Sequence, residues 1–98
     1  MRGEVAMSGI KQDADLDSVL TTFWERVEEA QAKGQEVEAR GWLEGIVEID
    51  QHDANAWLAL ARLIPDARER MQCYSRVLEL SPGNTEAKQG LRRARREL

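Results

Sequence analysis

Two stretches of this chain match when one is laid over the other: GWLEGIVEIDQHDANAW at 41–57 and QCYSRVLELSPGNTEAK at 72–88, offset by 31 residues. Leu43 falls over Tyr74, Ile46 over Val77, Val47 over Leu78 and Ile49 over Leu80. Internal repetition at such a period constrains the fold strongly, because each repeat is one helix pair that cannot bury its apolar face without a neighbour. Within each unit the apolar positions step by three and four, the helical period. The chain therefore reads as all-α, a stack of antiparallel helical hairpins.

The punctuation divides it further. Leu16, Val19, Leu20, Phe23, Val27 and Ala30 share one helical face, with Asp15 or Asp17 available as the amino-terminal cap and Gly34 as a left-handed stop. Val37, Ala39, Leu43, Ile46, Val47 and Ile49 mark a second helix so close behind that the two must lie antiparallel. Ala56, Trp57, Leu60, Ala61 and Ile64 form a third, closed by Pro65, which biases Ile64 away from helical dihedrals. Asp66 and Glu69 open a fourth helix carrying Ala67, Met71, Tyr74, Val77, Leu78 and Leu80, and Ser81, Pro82 and Gly83 stop it. A closing helix follows Asn84, with Ala87, Leu91, Ala94 and Leu98 facing inward and Arg92, Arg93, Arg95 and Arg96 around the rest. Residues 1–14 lack any period and read as a disordered leader ahead of a helical domain over 15–98.

Composition agrees. Ninety-eight residues suffice for one small core and not for two. Two Pro and seven Gly in a chain that is 33% charged favour helix over turn-dense β architectures. No stretch has the roughly 18–20 apolar residues of a membrane span, and the start lacks a signal-peptide core, so a cytoplasmic location is expected. The single cysteine, Cys73, and the single histidine, His52, cannot make an internal disulfide or a four-ligand zinc site. The net charge of −4 is unevenly spread: residues 1–53 hold five basic and thirteen acidic groups, giving −8, and residues 54–98 hold nine and five, giving +4. Such a dipole steers an oppositely charged partner, or the other end of a second copy, less well as salt rises.

The segments NAWLALA (55–61) and YSRVLELSPGN (74–84) resemble the opening and closing stretches of the tetratricopeptide repeat family. The resemblance covers residues 20–95. It implies a right-handed α-solenoid of about five helices: repeat one near 20–53, repeat two at 54–84, and a capping helix at 85–97. Trp57 and Leu60 would then meet Tyr74, Val77 and Leu78, while Trp42 would face outward or half outward. Repeat two is three residues short of the family's usual 34, lost at the turn holding Pro65 and Asp66, and Arg70 stands where the family has Ala. Repeat one departs further, with Phe23 at the Trp position, Arg26 at the Leu position and Gln51 in place of Pro.

Members of this family are mostly binding scaffolds, so the resemblance implies a protein or peptide partner received on the concave face made by the first helix of each pair. That face would hold Trp24 and Glu28 from repeat one, Asn55, Leu58 and Arg62 from repeat two, and Glu86, Gln89 and Arg93 from the closing helix. Trp24 and Leu58 would be the apolar anchor. The family's Lys and Asn clamp for a terminal carboxylate is missing, since Trp24 and Glu28 stand at its positions. Two plainer readings stand beside this one: Trp24 packs on the amino-terminal tail, and Arg62 with Glu28 is a solvated ion pair worth under about 1 kcal/mol.

Homodimerisation through the exposed repeat edge, or through the acidic and basic halves, is the alternative function. The tail LRRARREL suggests phosphate binding, but the pI of about 5.0 and the absence of interleaved aromatics argue against nucleic acid. No phosphate loop, nucleophile motif or His-Glu pair is present, so neither an enzyme nor a cofactor or metal is expected.

Overall fold

The computed structural model describes the backbone of residues 2–98 and the side chains of residues 15–98. These form five α-helices with no strand among the described residues: α1 (Arg2–Ala32), α2 (Glu36–Ile49), α3 (Ala54–Leu63), α4 (Ala67–Leu80) and α5 (Thr85–Glu97). Each helix packs on the next in sequence.

The repeat is visible in the helix ends themselves. α2 and α4 start 31 residues apart and stop 31 residues apart. The caps of the following helices keep the same spacing: Asp53 Oδ1 accepts from the Ala56 amide at 3.2 Å, and Asn84 Oδ1 from the Ala87 amide at 2.8 Å. Each thereby satisfies an amide the first helical turn leaves unpaired. Asp66 caps α4 in the same way through the Glu69 amide. Gly34 has a φ of +72°, the left-handed stop expected between α1 and α2. Ile64, ahead of Pro65, is extended at φ −86° and ψ 122°.

One core runs through the stack. Val27, Leu43, Ile46 and Val77 are its largest fully buried side chains, each worth roughly 1.5–3 kcal/mol in area removed from water. Leu60, Tyr74 and Cys73 join them, with Trp57 and Leu78 packed alongside. The half-buried Trp57 ring donates its Nε1–H to the Gln51 carbonyl at 2.9 Å. Trp42 is half-buried and meets Phe23 edge-on, with ring centroids 4.9 Å apart at 75°.

The short α3–α4 turn explains the arginine at position 70. Its guanidinium donates to the carbonyls of Ile64 at 3.1 Å and Pro65 at 2.7 Å, and pairs with Glu97 at the end of α5. A turn of three residues leaves those carbonyls outside any helix, and one long cationic side chain serves both while tying α5 to α4.

Several sequence expectations change. The helix does not begin at Asp15 or Asp17, because its backbone starts at Arg2; the leader assigned to 1–14 lies, for its side chains, outside the described residues. Leu16 is 49% exposed and Val19 37%, since α2 is less than half as long as α1 and does not reach them. Val37, in the first turn of α2, is exposed as well. Leu98 is 65% exposed rather than inward, because α5 approaches α4 through the small residues Ala87, Gly90 and Ala94 and ends before Leu98.

Candidate functional site

The expected site draws on α1, α3 and α5. Arg62, in the last turn of α3, reaches Glu86 in the first turn of α5 through two parallel hydrogen bonds, Nε to Oε2 and Nη2 to Oε1, both 2.7 Å. This bidentate geometry is the favoured way for a guanidinium to hold a carboxylate. It corrects the reading that paired Arg62 with Glu28: the spacing along the stack sets Arg62 against α5. The hydrogen bond from Arg62 holds the Glu86 carboxyl below its ordinary range, against a smaller opposing effect of burial, and the charge of Arg93 adds to the lowering. The Arg62 guanidinium is raised in turn, chiefly by the same hydrogen bond. Glu86 thus sits in the field of two cations, leaving this end of the face net positive.

Trp24 is half-buried and packs against the core. Glu28, one turn further along α1, is exposed, as are Asn55 on α3 and Gln89 and Arg93 on α5. Leu58 is not an exposed anchor. It is buried at 8% exposure, because the ten-residue α3 is clasped between α2 and α4 and has little free surface. Of the two expected apolar anchors, Trp24 alone keeps part of its surface exposed.

The Cys73 thiol is pushed up to about 11, first by burial and then by the carboxylates of Glu69 and Glu44, so it stays protonated at neutral pH. Among the described residues no group of three His, Cys, Asp or Glu side chains is placed to hold a metal ion. No helix among them is long and apolar enough to cross a membrane.

Two shallow depressions among the described residues lie away from the expected site residues. One, of about 390 Å³, is framed on α1 by Asp15, Ser18, Val19, Thr22 and Phe23. The other, of about 410 Å³, lies along α4 at Arg68, Met71 and Arg76 and is closed by Leu98. No sequence signal marked the former, because the first two apolar runs, Leu16–Ala30 and Val37–Ile49, are nearly equal in length.

A scan against protein-family models gives no match, and a search of curated protein sequences gives none.

Proposed function

We propose that this chain is a protein-interaction module, built like two tetratricopeptide repeats and a closing helix in a right-handed stack, which receives a peptide or helix of a partner protein on the α1–α3–α5 face. The Arg62–Glu86 pair carries the reading: it bridges α3 to α5 and supports a common face for the odd-numbered helices. Glu28, Asn55, Gln89 and Arg93 are exposed and Trp24 is half-buried, which supports their availability to a partner. Leu58 has no part in it, being buried. A cytoplasmic location belongs to the same proposal.

Display selection of peptides on the wild-type domain, followed by binding to Arg93→Glu, tests it. Selected peptides should lose at least about tenfold in affinity on the variant, the scale of one charge-assisted contact. Equal affinity for both would remove α5 from the site. The second reading, homodimerisation or assembly, is favoured by one observation, the exposed apolar edge at Leu16 and Val19.

A further inference from the structure

α1 has 31 residues and α2 only 14. At 1.5 Å per residue, α2 covers roughly 21 Å of a helix about 46 Å long. The stripe that α2 helps bury at Phe23, Val27 and Ala30 continues at helical spacing to Val19 and Leu16, which are 37% and 49% exposed among the described residues. Across the molecule, the α4 depression ends at the exposed Leu98 and is flanked by Arg68 and Arg76. The two patches differ in charge. Asp15 lines the α1 depression, whereas Arg68, Arg76 and Glu79 line the α4 one, a net charge of +1 with Arg76 paired to Glu79 at 2.8 Å.

We propose that these depressions are the two halves of one contact, in which the α1 edge of one copy seats against the α4–α5 corner of the next. Like charge disfavours pairing each patch with itself: two α1 edges would bring Asp15 toward Asp15, and two α4 depressions would each carry their net positive charge, set by Arg68, to the same contact. Unlike pairing joins apolar to apolar and places acidic rim against basic rim. A contact between different faces leaves one of each free on every pair, so growth does not stop at two. This deepens the assembly reading, uses none of the residues of the peptide face, and can fail while that face stands.

Light scattering over a hundredfold range of concentration, at low and high salt, tests it. At low salt the mass should climb past twice 11.1 kDa, and high salt should shift that climb at least several-fold upward in concentration. Val19→Lys and Leu98→Glu should each give a monomer. Mixed together they should form a one-to-one pair that grows no further, because each variant keeps the face the other lacks. Both positions are exposed, so helicity should be unchanged; should either variant lose it, Val19→Ser and Leu98→Ser carry the same expectation. A wild-type monomer at every concentration, a mass that halts at two, or association that survives both substitutions would overturn the proposal. So would association lost on Arg93→Glu and kept in Val19→Lys.

Discussion

The ring of Tyr74 fills the space in which a side chain at Gly90 would have to stand, so α5 lies against α4 with no room for a methyl group. Gly90→Ala should therefore lower stability by about 1–3 kcal/mol through overpacking. Gly41, an exposed position inside α2 with nothing near its missing Cβ, is the counterpart. Gly41→Ala should raise stability by about 0.5–1 kcal/mol, because alanine gives up less backbone freedom in a helix. Urea melts of the two variants should move in opposite directions; a common shift would contradict the α4–α5 packing.

Arg70 and Arg62 both pair with a carboxylate on α5, yet their contributions should differ. Arg70 is mostly covered and also serves two turn carbonyls, so Arg70→Met should cost about 1–3 kcal/mol by leaving them short of a partner. Arg62 and Glu86 are about half exposed, and Arg62→Met should cost under about 1 kcal/mol. Equal losses in thermal melts would mean that the turn does not depend on Arg70.

The repeat and the element ends within it were legible because they rest on local chemistry, whereas the start of α1 at Arg2, ahead of Asp15 and Asp17, was not. Asp53, Asp66 and Asn84 cap whatever helix follows, Gly34 tolerates a positive φ, and Pro65 straightens the residue before it, wherever the helices go. Burial was less legible. Periodicity says that Leu16, Val19 and Leu98 share a face with core residues, but whether a neighbour extends over them depends on relative helix lengths and on where α5 stops. Leu58 failed as an anchor for the opposite reason, since a short helix clasped on two sides hides residues that register alone would leave free. The carboxylate partners of Arg62 and Arg70 lie 24 and 27 residues away, and such pairings follow from packing that no local pattern encodes.

Stability should fall at alkaline pH through Cys73. Its folded pKa of about 11 lies above the ordinary thiol value of 9.0, so the unfolded chain loses that proton first. The contribution is complete below pH 9 and is lost as pH rises to about 11, by at most roughly 3 kcal/mol. Cys73→Ala should flatten this part of the profile. Native protein should also resist thiol alkylation at neutral pH until it unfolds; rapid labelling would show that the thiol is open to solvent.

The Arg62–Glu86 pair should weaken in acid. A depressed carboxyl contributes stability above its unfolded pKa and loses it as pH falls through the folded one. The difference between wild type and Glu86→Gln, small at neutral pH, should vanish at the acid end of that window. A difference that persists there would assign the effect of Glu86 to packing rather than charge.

The interaction reading is tested most directly by mapping amide chemical shifts when a display-selected peptide is titrated into the labelled domain. The account predicts perturbations clustered on α1, α3 and α5 around Trp24, Glu28, Asn55, Gln89 and Arg93, together with the indole N–H of Trp24. Perturbations confined to the outer faces of α2 and α4 would contradict it.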